Sequence, residues 1–190
     1  MLAAVLLAMG TAQFQPVTPQ TTAQTQQVYV HDASAPAASG AEPHDAGLRP
    51  VNANDSPLVQ LYSAKNVALN VTLQGWSAAT GTVTTTDDGN GGTRVHASFT
   101  NLIPLGHYSL FLRGLAGRTG AVLMPVDISG AAANFIASPD GGAVFDVDSP
   151  AAIPTGAQLV VIFHSDQKDH QSSMGVPGVN AHAQLITRVP

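Results

Sequence analysis

The chain has 190 residues, 44% hydrophobic and only 10% charged, with a net charge of −5 and 7 Lys plus Arg against 12 Asp plus Glu. That length suits one domain with a core of its own, and so few basic residues leave neither a nucleic-acid footprint nor a polybasic segment for a membrane surface. There is no cysteine, which excludes disulfides, thiolate nucleophiles, Cys-ligated zinc and blue-copper sites, so a metal would have to be held by His, Asp, Glu or Met.

The chain begins "MLAAVLLAMGTAQFQ". Residues 1–12 read as the hydrophobic region of a secretory signal with cleavage near Ala12–Gln13, although no basic residue precedes the run. This predicts an extracytoplasmic protein, in the periplasm or at the cell surface or envelope of a bacterium. The run is too short to span a bilayer; a buried N-terminal helix is the competing reading. Residues 13–57 follow as an arm: "QFQPVTPQTTAQTQQ" has no apolar period, and Val28–Pro57 opens on the strand-like triplet Val28-Tyr29-Val30 before turning rich in Ala, Pro, Ser and Gly. The arm is expected to be flexible or to order against a partner, and residues 58–190 to form the folded domain.

From Leu58 the chain becomes a series of short alternating runs separated by turn residues. "VALNVTLQGW" (67–76) reads as a strand. "GTVTTTDDGNGGTRVHASFTNL" (81–102) reads as a hairpin turning at Asp87–Gly92. A second hairpin, centred on Ile103–Pro104, is expected to lead into "GHYSLFLRGL" and to pair His96 near Phe111. "GAVLMPVDISG", "NFIASPDGGAVFDVD" with its Pro-Asp-Gly-Gly turn, "AQLVVIFHSD" and "AHAQLITRV" complete the set. No helical period extends over ten residues. The fold class expected is all-β, an antiparallel sandwich or barrel.

Period-two alternation assigns faces. Val95, Ala97 and Phe99 point inward, so His96 points out. Tyr108, Leu110 and Leu112 point inward, so His107 points out. The run 159–164 is apolar on both faces until His164. Ala183, Leu185 and Thr187 are expected inside, with His182 and Gln184 outside.

These assignments gather histidines. His164 ends one strand and His182 begins the next, and facing residues of an antiparallel pair sit about 4.5–5.5 Å apart. His170 and Met174 lie in the connecting loop of roughly sixteen residues, 165–180, and His107 starts a strand that can reach the same end. His107, His164, His170 and His182 are therefore the candidate metal ligands. Imidazole-rich ligation suits copper or zinc, and a nearby thioether favours copper. Asp166 or Asp169 can orient a ring from behind. The spacings of six and twelve residues match no standard metal motif, so solvated loop histidines are the alternative. His31 and His44 sit in the arm and read as solvated residues, as does His96. Asp87, Asp88 and Asn90 have calcium-loop composition without its spacing, and read as a turn. No nucleophile elbow is present. Asn54 and Asn70 begin glycosylation sequons, and Arg94, Arg113 and Arg118 are candidates for steering an anion.

The segments "GTRVHASFTNLIPLGHYSLFL" and "GAQLVVIFHSDQKDH…GVNAHAQLI" resemble, over roughly residues 67–189, the copper/zinc superoxide dismutase family. In that family a strand, a Pro-Gly turn and a His-bearing strand follow one another, and a later strand ends in Val-Val-His. The resemblance implies a Greek-key barrel, imidazole-bound copper with zinc less favoured, and dismutation of superoxide to oxygen and hydrogen peroxide. His164 matches the Val-Val-His ligand. The family's His-x-His pair is represented by His107 alone; Leu110 and Leu112, or Ser109 and Phe111, occupy its positions depending on register. The bridging His, zinc loop and disulfide have no counterpart. A divergent, copper-only member is implied, with His182 and His170 substituting for the missing pair. Two other functions fit the sequence: a structural or accessory module of a cell-envelope assembly that engages a larger partner through residues 28–57, and a copper-binding protein without turnover.

Overall fold

The structure is a computed structural model that describes residues 21–40, 42–113 and 123–189. The expected signal segment 1–12, the start of the arm (13–20) and Arg118 lie outside the described residues. Alternating runs broken by Gly, Asn, Asp and Pro are the pattern of half-buried strands. The described residues accordingly form β1 (Thr22–Ala23), β2 (Tyr29–His31), β3 (Leu48–Pro50), β4 (Gln60–Tyr62), β5 (Ala68–Thr72), α1 (Leu73–Ser77), β6 (Thr80–Asp87), β7 (Thr93–Thr100), β8 (His107–Arg113), β9 (Leu123–Pro125), β10 (Asn134–Ile136), β11 (Ala143–Ser149), β12 (Gln158–His164) and β13 (Ala181–Arg188).

The strands make three antiparallel sheets. One runs β1-β13-β12-β8-β10, with β9 also paired to β8; a second runs β11-β7-β6; the third runs β3-β2-β4-β5. The inward residues of the first two share one core, where Val95, Ala97 and Phe99 join Tyr108, Leu110 and Phe163. The expected all-β antiparallel sandwich is the architecture observed.

Four expectations change. The arm is part of the body: β2 pairs with β3 and β4, Val28 and Val30 enter the main core, and Tyr29, Leu48 and Ala64 form a smaller cluster beside it. The β-forming triplet finds its partners in the same chain, and Arg49, bonded to Asp32 and Asp55, ties the segment's return. Residues 67–76 are not one strand. Thr72 caps α1 by accepting a hydrogen bond from the Gly75 backbone N–H at 3.2 Å, and the helix buries Trp76.

The third change concerns β7 and β8, which form no hairpin. β7 is already paired on both edges, with β6 and β11, so the 101–106 turn crosses to the other sheet. His96 faces Thr84 and Asp146, not Phe111.

The fourth lies in β13. Val161 pairs with Leu185 but Ile162 pairs with Ala183, which leaves Gln184 as a bulge. A one-residue slip exchanges the faces of everything beyond it. Leu185 still points into the main core, but Ala183 packs on the outer face with Val160 and Ile162. His182 and Gln184, expected outside, are both 0% exposed.

Candidate functional site

On β12 the core takes Leu159, Val161 and Phe163, so Val160, Ile162 and His164 share the outer face. On β8 the core takes Tyr108, Leu110 and Leu112, which leaves His107, Ser109 and Phe111 on that same outer face. His164 pairs directly with His107, and Ile162 with Ser109. The cross-strand histidine pair thus follows from alternation and register alone.

The loop 165–180 brings the third ring. Gln167 N–H closes a turn onto His164 C=O, Ser173 N–H closes another onto His170 C=O, and Ser165 N–H bonds Asn180 C=O at the loop's base. Asn180 holds the loop from inside: its Oδ1 accepts from Val176 N–H at 2.7 Å and its Nδ2 donates to Asp166 at 2.9 Å. The loop also leans on the 127–132 turn, where Gly130 has φ +80° and a Cβ would lie 2.0 Å from Gln171 C=O. So placed, the His170 ring stacks on His164 with centroids 4.7 Å apart and planes at 27°.

Each of these rings has one nitrogen tethered. His164 Nε2 lies 2.7 Å from Ser109 Oγ. His170 Nε2 lies 3.1 and 3.0 Å from the two Asp166 carboxylate oxygens. His107 Nδ1 lies 3.0 Å from Asp169 Oδ1. No second hydrogen bond is made by any of the three among the described residues, and His164 Nδ1 is a buried atom without a partner. Burial, with the neighbouring His170 charge next, pushes the His164 pKa down to about 4, so the ring is neutral. Burial would raise the Asp166 carboxyl, but hydrogen bonds from His170 and Asn180 more than offset it and hold it below the ordinary carboxylate value.

His182 does not join them. It lies on the opposite face of the sheet beside Phe163, and both nitrogens are engaged: Nδ1 is 2.8 Å from Gln27 C=O and Nε2 is 3.0 Å from Ser165 Oγ. The four candidate ligands therefore divide into His107, His164 and His170 on the outer face and His182 within. Met174 packs against the apolar outer-face cluster of Phe111, Val160, Ile162 and Ala181. Among the described residues no three His, Asp or Glu side chains are preassembled as a metal-ligand set; the three rings offer free nitrogens on one face without sharing a common point. Their donor chemistry suits an imidazole-bound transition metal, and their arrangement is that of rings oriented from behind.

The remaining histidines serve structure. His96 bonds Asp146 on the exposed face of β7, the His44 ring packs against Tyr29, and the His31 ring against Tyr62. The Ser109–His164 contact is short enough for a nucleophile and its base. However, Ser109 is 1% exposed and no acid orients His164 Nδ1, so acyl transfer is not what the pair is built for. Sequence reasoning missed Ser109 and Asn180. Ser109 was within reach, since alternation from His107 puts it on the same face; Asn180 becomes visible only once the loop is folded. In comparisons with known proteins, no protein-family model matches the chain and no curated protein matches it. Among the described residues no helix is long and apolar enough to cross a membrane.

Proposed function

We propose that the protein is an extracytoplasmic copper-binding β-sandwich of the superoxide dismutase-like, Greek-key type, with His107, His164 and His170 as its ligands. One observation carries the reading: three imidazoles lie on one sheet face, each tethered through one nitrogen to Ser109, Asp166 or Asp169 and without a hydrogen-bond partner at the other among the described residues. Metal-binding histidines are characteristically held in this way, the second nitrogen donating to a carboxylate, carbonyl or other polar group. Met174 lies on the same outer face, packed against Ile162 and Ala181, and a thioether within reach of the rings would favour copper over zinc. The chemistry that bound copper supplies is one-electron exchange with superoxide, giving oxygen from one anion and hydrogen peroxide from the next.

The chain's own residues supply position and access. His164 is an immobile anchor, closed in by β8, β13 and the His170 ring. His107 and His170 keep side-chain exposures of 22% and 19% and form the open side of the site. A second reading, a copper-holding protein without turnover, is favoured by the charge around that opening. Asp166 and Asp169 flank it with Lys168 between them in sequence, and a carboxylate rim slows the approach of an anion.

The test is copper and zinc quantification on natively purified protein, titration of the metal-free protein, and a superoxide-decay assay of wild type against His164→Ala. The proposal expects copper uptake of one equivalent that is lost in His164→Ala. No uptake by wild type sinks both readings. Uptake without accelerated superoxide decay leaves the copper-holding reading in place and removes the enzyme.

A further inference from the structure

Asp88-Gly89, Asn90-Gly91 and Asp140-Gly141 each set a side-chain carbonyl carbon beside the backbone nitrogen of a glycine. That nitrogen can attack the carbon and close a succinimide ring, and glycine, with no side chain, obstructs the approach least. The attack needs the glycine N–H to be free. An N–H held in a hydrogen bond neither gives up its proton readily nor turns toward the side chain before it.

The fold separates the three dipeptides. Gly89 N–H donates to Asp87 Oδ1 at 2.7 Å. Gly141 N–H donates to Ser138 C=O at 2.8 Å, and a Cβ at Gly141 would lie 2.5 Å from Leu102 C=O, so that turn is packed against backbone. In the turn between β6 and β7, Asp88 Oδ1 accepts from Asn90 N–H at 2.7 Å and from Gly92 N–H at 2.8 Å. Two aspartates thus take the N–H groups of Gly89, Asn90 and Gly92, while Gly91 N–H has no hydrogen-bond partner among the described residues. Gly91 has φ +89°, and nothing lies within 4 Å of where its Cβ would be. Asn90 is exposed. Its carboxamide is held only by Nδ2 to Asp88 C=O at 3.5 Å, which is too long for a firm hydrogen bond. Nucleophile and leaving group are therefore both unrestrained at this dipeptide.

From this geometry we infer that Asn90 is a site of spontaneous deamidation in the folded protein. The Gly91 nitrogen loses its proton to solvent and bonds to Asn90 Cγ. The Cγ–Nδ2 bond breaks, and the side-chain nitrogen leaves as ammonia with a proton taken from water. A water molecule then opens the succinimide at either carbonyl, which leaves aspartate or isoaspartate at position 90. The other asparagines are followed by Ala, Asp, Val, Leu or Phe, whose side chains crowd the same attack. The product adds a negative charge beside Asp87 and Asp88. Isoaspartate also routes the main chain through the side-chain carbon, which lengthens the link between β6 and β7. This modification requires no metal and stands apart from the copper reading.

The experiment incubates the full chain in heavy-oxygen water at neutral pH, once folded and once in urea. Digestion follows, with peptide mass spectrometry that locates the label and distinguishes aspartate from isoaspartate. In the folded chain, heavy oxygen is expected to enter position 90 as both products. Asp88, Asp140 and the exposed Asn66, Asn70 and Asn101 stay unlabelled over the same interval. In urea, where the hydrogen bonds of Gly89 and Gly141 are gone, Asp88 and Asp140 take up label as well. Asn90→Gln, whose longer side chain would have to close a larger ring, loses the label at position 90. An unlabelled Asn90 in the folded chain overturns the inference. So does labelling of Asp88 or Asp140 in the folded chain as fast as Asn90, since the free Gly91 N–H would then select nothing. Label that persists at position 90 in Asn90→Gln overturns it too.

Discussion

Tyr108→Phe removes one oxygen from the centre of the sandwich and tests whether the β13 bulge is held as described. Tyr108 is 0% exposed. Its hydroxyl accepts from Ile103 N–H at 2.9 Å and donates to Gln184 Oε1 at 2.7 Å. Gln184, also 0% exposed, passes the chain on by donating from Nε2 to Trp76 C=O at 3.1 Å. Losing the hydroxyl leaves the part-buried Ile103 N–H and the buried Gln184 carbonyl oxygen unpaired, a buried orphan costing about 1–3 kcal/mol and a part-buried one less. A small gain from the more apolar ring brings the expected loss to about 2–4 kcal/mol. Gln184→Met alone strands the Tyr108 hydroxyl and Trp76 C=O, at a similar cost. The double variant strands only Ile103 N–H and Trp76 C=O, so its cost should fall short of the sum of the singles by about 2 kcal/mol. Urea unfolding followed by far-UV circular dichroism and by the single tryptophan, Trp76, measures all four proteins. Tyr108→Phe within about 0.5 kcal/mol of wild type, or additivity of the pair, would refute the network and with it the placement of Gln184 inside.

Three further predictions concern other parts of the fold. Gly130→Ala puts a methyl group against Gln171 C=O at a residue with φ +80°, costing about 1–2 kcal/mol for the backbone alone. Because the clash pushes on the loop that carries His170, copper titration should show weaker binding than this modest stability loss explains, and unchanged affinity would mean that the loop is placed independently of the turn. Phe163→Ala, at a ring packed against Trp76, Tyr108 and His182, should cost about 3–5 kcal/mol; a loss under about 1 kcal/mol would contradict its central position. His182 has its pKa lowered by burial, against a smaller opposing effect of its bond to Gln27. Its folded value lies below its unfolded one, so its contribution is intact above about pH 6.5 and is lost as pH falls through the folded value. His182→Gln should flatten this part of the acid limb in urea titrations of metal-free protein, and an unchanged pH profile would exclude His182 as its source.

The sequence by itself determined what depends on near neighbours. Period-two alternation over 93–100 and 106–113 placed Val95, Phe99, Tyr108 and Leu110 in the core and His107 outside it. The Asp-Asp-Gly-Asn-Gly-Gly turn at 87–92 joined β6 to β7, and absent cysteine narrowed the possible metal ligands to His, Asp, Glu and Met. These features are local: a strand's faces and a turn's backbone are set within a few residues. Only the tertiary structure decided which strands pair. β7 found both its partners elsewhere and left β8 to another sheet, and Val28–Val30, read as part of a loose arm, found strands to join. Only the structure, too, revealed the bulge at Gln184, where a one-residue slip between β12 and β13 moved His182 to the far side of the sheet from His164. Such a slip leaves no mark on composition or period, because it is fixed by buried partners distant in sequence: Tyr108 and Trp76 for Gln184, Gln27 for His182. The histidines of the last loop were legible from the beginning, but the sheet face each one occupies was not.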